Sequence, residues 1–157
     1  MLRPVIAFSL LALAAGTACQ RTERGAATPS VSMATPSAPL RETRWELRRL
    51  ASQPVADSTE GRQPYLQISD AGTVEGQASC NRFRGTLQPV EDDGELRFSP
   101  LQTTRMACPA LTTEVIFTKA LQSTLAYRIK GDTLWLYGNA GRTGTALARL
   151  EAVRLGQ

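Results

Sequence analysis

The chain has 157 residues, a formal net charge of +4 and no histidine, with 42% hydrophobic and 20% charged residues. That length suits one domain plus additional sequence, and that composition is too apolar for a disordered chain. The basic residues are scattered arginines without a Lys/Arg-rich run or interleaved aromatics, which argues against nucleic-acid binding; without imidazole no Ser-His-Asp hydrolase can be assembled.

The first residues, MLRPVIAFSLLALAAGTAC, carry one early charge at Arg3, an apolar run from Val5 to Ala15, and small residues up to Cys19. This is the layout of an export signal, expected over residues 1–18 and removed in the mature chain. The apolar run is shorter than the roughly 20 residues a membrane-spanning helix needs. A signal ending on cysteine resembles that of bacterial lipoproteins, in which the cysteine becomes the new N-terminus and carries lipid. Cys19 is therefore expected to anchor the chain to a membrane. Ordinary cleavage after Ala18 stays open, because Gly16 and Ala18 also suit a small-x-small site. By the same resemblance, Gln20 in place of an aspartate points to the periplasmic face of the outer membrane.

Residues 19–40 are rich in Ser, Thr, Ala and Pro with no sustained apolar period, and read as a flexible tether. From Arg41 the texture changes. TRWELRRL places Trp45 and Leu47 on one face; PYLQIS does the same with Leu66 and Ile68. DAGTVEGQ reads as a turn and a short strand, and RFRGTLQPV alternates through Phe83, Gly85 and Leu87. After the turn EDDG, ELRFS presents Leu96 and Phe98. CPALTTEVIFTKALQSTLAY breaks this period: Phe117, Leu121 and Leu125 recur at helical spacing, and Pro109 suits a first helical turn. YRIKGDTLWLYG predicts a hairpin around Gly131-Asp132, and TALARLEAV a last strand. The expected fold is mainly β (α+β): a bent antiparallel sheet or small barrel of about seven to eight strands, with one helix near residues 109–125, in a domain spanning 41–157.

With Cys19 lipidated, Cys80 and Cys108 remain, and in an oxidising compartment an even pair reads first as a disulfide. A redox pair is the alternative, although the C-x-x-C spacing is absent. Two thiols without imidazole make a poor zinc site, so neither metal nor cofactor is expected. Asn81 suits an unusual backbone angle or a turn cap, and Gly85 a close approach; the rival role for both is a ligand contact. Arg105 is expected to hold loop carbonyls or a carboxylate, with anion binding as the rival. Glu91, Asp92, Asp93 and Glu95 read as a solvated hairpin turn. Trp135 and Tyr137 alternate with Leu134 and Leu136; if the leucines face the core, the aromatics face outward as a candidate contact surface.

Taken together, SCNRFRG, TTRMACP, the helix with Glu114 and Phe117 that follows, YRIKGDTLWL and the opening WELRRL resemble the META domain family, which includes HslJ-like envelope lipoproteins. Cys80, Asn81 and Gly85 fall in the first motif, and Thr104, Arg105 and Cys108 in the second. The resemblance implies a mostly antiparallel, barrel-like fold with one helix and a disulfide between Cys80 and Cys108. It implies no enzyme activity, and associates the chain with the bacterial envelope, stress and drug tolerance. The expected function is a monomeric, non-catalytic, lipid-anchored envelope domain that binds an envelope protein or an apolar ligand. The alternatives are a lipid carrier and a thiol-disulfide oxidoreductase using Cys80 and Cys108.

Overall fold

The structure, a computed structural model, describes residues 36–56, 63–107 and 111–153. The export signal, Cys19, most of the tether and Cys108 lie outside the described residues. Nine strands form one antiparallel sheet: β1 (Arg44–Leu50), β2 (Gln53–Pro54), β3 (Tyr65–Ile68), β4 (Thr73–Gln77), β5 (Arg82–Thr86), β6 (Gln102–Thr103), β7 (Ala126–Lys130), β8 (Thr133–Tyr137) and β9 (Ala148–Ala152). The helix α1 (Leu111–Gln122) sits between β6 and β7 in the chain. Strand order is β6-β5-β4-β3-β1-β9-β8-β7, with β2 hairpinned onto β1. The expected mainly β bent sheet with one helix is what forms, and the sheet is open.

Alternation sorts the side chains. Trp45, Leu47, Leu66, Ile68, Val74, Leu134, Leu136 and Leu150 all point to one face and are fully buried there with Phe117 and Leu121 of α1. Burying each such leucine contributes about 1.5–3 kcal/mol. In β1 the register with β9 shifts between Leu47 and Arg49, so Arg48 is the extra residue of a bulge. The bulge lets Leu47 and Leu50 both face inward while Arg48 and Arg49 stay outside. The β7–β8 hairpin pairs Lys130 with Thr133 around Gly131-Asp132, and Gly131 takes a positive φ of 58°. That backbone angle is the one glycine adopts without steric cost.

Leu96 and Phe98 are buried as expected, but their segment makes isolated bridges in place of a ladder strand: Leu87 with Phe98, and Glu95 with Ala126. Backbone bonds reinforce it on both sides, from Gln88 N to Arg97 O (2.8 Å) and from Tyr127 N to Gly94 O (2.8 Å). Residues 94–99 thus tie the β5 flank of the sheet to the β7 flank without closing a barrel. On the N-terminal side, Ala38 N donates to Gly131 O at 3.0 Å, and the Trp45 indole donates to Leu40 O at 3.0 Å.

The outer face of the sheet is polar. β1 presents Arg44, Glu46, Arg48 and Arg49 there, β9 presents Arg149 and Glu151, and β7 presents Arg128 and Lys130. At the other end β4 adds Glu75, and β5 adds Arg82 and Arg84. Arg48 bridges Glu46 at 3.1 Å and Glu151 at 3.2 Å, and Arg149 meets Glu151 at 2.8 Å.

Candidate functional site

The stretch joining β4 to β5 and the loop after β6 converge on the N-terminal half of α1. Asn81 lies at the junction with 1% exposure. Its side-chain amide carries one donor group and one acceptor, like a peptide unit, and it uses both on the backbone of Met106. Nδ2 donates to Met106 O at 3.0 Å, and Oδ1 accepts from Met106 N at 2.7 Å. Nδ2 also donates to the Glu114 carboxylate at 2.9 and 3.0 Å, while Oδ1 takes the Thr104 hydroxyl at 2.8 Å. The Asn81 backbone N–H reaches Glu114 Oε2 at 3.2 Å. Thr104 Oγ1 in turn accepts from Arg82 N at 3.1 Å. Glu114 itself is buried, at 7% exposure. Asn81 is therefore a two-sided clamp, fixing the loop after β6 on one side and α1 on the other.

Glycines let the chain come this close. A Cβ on Gly76 would run into Tyr65 O and come within 2.5 Å of the Phe83 ring. Phe83 packs edge-on against Phe117 with centroids 6.0 Å apart. A Cβ on Gly85 would sit 2.7 Å from Leu101 Cδ2 and 3.2 Å from Ser99 Oγ. Cys80, next to Asn81, is disulfide-bonded; the other two cysteines, Cys19 and Cys108, lie outside the described residues.

Two expectations are corrected here. Arg105 is exposed and holds neither a carbonyl nor a carboxylate among the described residues. The polar groups of the adjoining loop are taken by the Asn81 amide, which leaves the guanidinium nothing to hold. Tyr137 is only 3% exposed, so it forms no contact surface. Alternation puts it on the outer face with Trp135, but Arg128 lies over both rings, 5.0 Å from the Trp135 centroid and 5.7 Å from that of Tyr137. Trp135 stays half-buried.

Sequence reasoning missed the central part of Glu114. Its only signal was an acidic side chain on the same helix turn as Phe117, the inward residue three positions on. It also missed where the apolar surface lies. Met106, Leu111, Val115 and Ile116 are 59%, 51%, 56% and 47% exposed. Leu111 and Val115, four residues apart, share one side of α1; Ile116 lies about 100° further round, beyond the exposed Lys119, and all three turn away from the side that buries Phe117 and Leu121. Among the described residues, no three His, Cys, Asp or Glu side chains gather closely enough to hold a metal, and no helix is long and apolar enough to cross a membrane.

The META domain family model matches residues 38–152, the span that contains every described strand and the helix. The chain belongs to the META domain family. No curated protein matches it. Two NMR structures share the fold. A protein from Burkholderia xenovorans superposes with a TM-score of 0.57 at 22% identity, over 80% of this chain and 99% of that one. A second protein gives 0.53 at 22% identity, over 72% and 89%. Coverage of 99% means that a chain of little more than this META domain holds the fold by itself. The Asn81 clamp, Glu114 and the apolar side of α1 all lie within the matched residues of this META domain.

Proposed function

We propose that this META domain is a non-catalytic binding module of the bacterial envelope that acts in stress or drug tolerance through a protein partner. Lipid on Cys19 holds it at the periplasmic face of the outer membrane, and residues 19–40 carry its tether. The Cys80 disulfide runs to Cys108 and staples the start of β5 to the start of α1. One observation carries the binding role: Met106, Leu111, Val115 and Ile116 are large apolar side chains left about half exposed, three of them on the side of α1 turned away from the sheet. A monomer seldom leaves such an apolar patch to water without a use for it. Reactive polar chemistry would need unengaged groups, and the Asn81 amide has none to spare. The inner face of the sheet is filled by Trp45, Phe83, Phe117 and leucines, which favours a partner on the surface over a ligand inside.

The test is a photo-crosslinking residue placed at Val115 in living cells, with Thr73, exposed in part on a different element, as the comparison position. The expected result is one discrete protein adduct from Val115, absent from Thr73, and lost when Ile116→Asp is added. No adduct, or the same adducts from both positions, overturns the reading. Native mass spectrometry of the exported protein separates the carrier alternative, which requires a bound molecule of lipid mass.

A further inference from the structure

The chain's charge is not spread evenly over its surface. On the outer side of the adjacent strands β1, β9, β8 and β7, basic side chains outnumber carboxylates by six to two, an excess of four positive charges, as many as the whole chain carries. The acidic residues Asp92, Asp93 and Glu95 gather elsewhere, along a groove of about 810 Å³ that they share with Glu42 and Asp70. A separation of this kind creates a directed field that draws the positive face toward an anionic surface.

We infer that the outer side of β1, β9, β8 and β7 docks the domain against a bilayer rich in anionic phospholipid. The aromatic residues on the face decide against a single-stranded polyanion. The Tyr65 ring is covered by Arg44 at 3.7 Å and the Trp135 ring by Arg128 at 5.0 Å, so neither offers the open platform that base stacking uses. What remains is an array of guanidinium and ammonium groups on four adjacent strands, matched to the phosphates of a lipid surface. Arg49 and Lys130 make no ion pair among the described residues, so their charge is open to an anionic partner. A second observation agrees with this, and it rests on the anchor proposed above. The chain enters the domain beside Gly131, where Ser37 Oγ accepts from Gly131 N at 3.0 Å, next to Lys130. A lipid tether therefore arrives at the margin of this face. The apolar side of α1, which packs on the inner face, is left pointing away from the membrane.

Sedimentation with vesicles tests this, using residues 34–157, which contain the whole family match and no anchor, so the result does not depend on Cys19. Vesicles of phosphatidylethanolamine with 30% phosphatidylglycerol, an approximate composition, are compared with purely zwitterionic ones at about 50 mM salt, where screening is weak. Binding is expected only to the anionic vesicles, falling as salt rises. Arg49→Glu with Lys130→Glu should weaken it at least about tenfold, since each basic residue near such a surface accounts for roughly fivefold. Arg105→Glu with Lys119→Glu removes the same charge from exposed positions off the face and should leave binding within about twofold. Circular dichroism confirms that both variants are folded. Equal losses from the two pairs, binding regardless of lipid charge, or capture by soluble polyphosphate or single-stranded nucleic acid in preference to vesicles would each overturn the inference.

Discussion

Two polar regions of this molecule use similar groups for opposite ends. Around Asn81, a buried amide and a buried carboxylate bond to each other, and the amide also takes the hydroxyl of the exposed Thr104. Across the outer face of β1 and β9, Glu46, Arg48, Arg149 and Glu151 form ion pairs of comparable length in contact with water. Burial makes the difference. In the first region the loss of the Asn81 amide or the Glu114 carboxylate strands its buried partner, and the desolvation cost is felt. In the second, water replaces whatever is removed, and pairs of this kind contribute little. The inner cluster holds the fold together, whereas the outer array is free to be shaped for recognition.

The largest effect should come from Asn81→Asp, which deletes the donor to Met106 O and sets a second carboxyl group against Glu114. Chemical denaturation should show a loss of about 4 kcal/mol, within the range for breaking a buried charged network. Cys80→Ser should come next. If the bond closes the loop to Cys108, about 29 residues long, it should cost about 3.5 kcal/mol by the chain-entropy model. A reductant should then lower the midpoint of the parent protein but not of the variant. Gly76→Ala forces a methyl group into Tyr65 O and the Phe83 ring, and should cost about 2–3 kcal/mol in the same assay. Glu114→Gln keeps the shape and one acceptor for Asn81, so about 1–2 kcal/mol is expected. Arg48→Ala, on the outer face, should cost about 0.5 kcal/mol, although it removes the ion pairs to Glu46 and Glu151. If Arg48→Ala proves costlier than Glu114→Gln, burial is not what separates the two regions.

Much of the fold was legible because strand alternation is a local signal. Leu66 with Ile68, Leu134 with Leu136, and the Gly131-Asp132 turn each announce their conformation within a few residues. The site was far less legible. Asn81 meets Glu114 across 33 positions and Met106 across 25, and no periodicity encodes such a meeting. Read locally, an asparagine beside a cysteine suggests a turn, so the clamp was invisible until the elements came together. Tyr137 went wrong for a related reason: alternation assigns a side chain to a face but is silent about what covers that face, here Arg128. Val115 and Ile116 illustrate the reverse case. They look like core residues by hydrophobicity, yet Phe117, Ala120 and Leu121 already fill the side of α1 that meets the sheet.

The position of β9 governs when this chain can become a protein at all. β9, the last strand among the described residues, is not at an edge: it is inserted between β1 and β8, pairing Trp45 with Ala152 and Leu134 with Leu150. Synthesis delivers β1 first and its neighbour last, so the central seam of the sheet cannot form until nearly the whole chain is available. Contacts this distant in sequence slow folding, and a nascent chain stopped short of Ala148 would keep Leu47 and Leu136 uncovered along their β9 side. The central seam of the domain is thus completed only once β9 has been made.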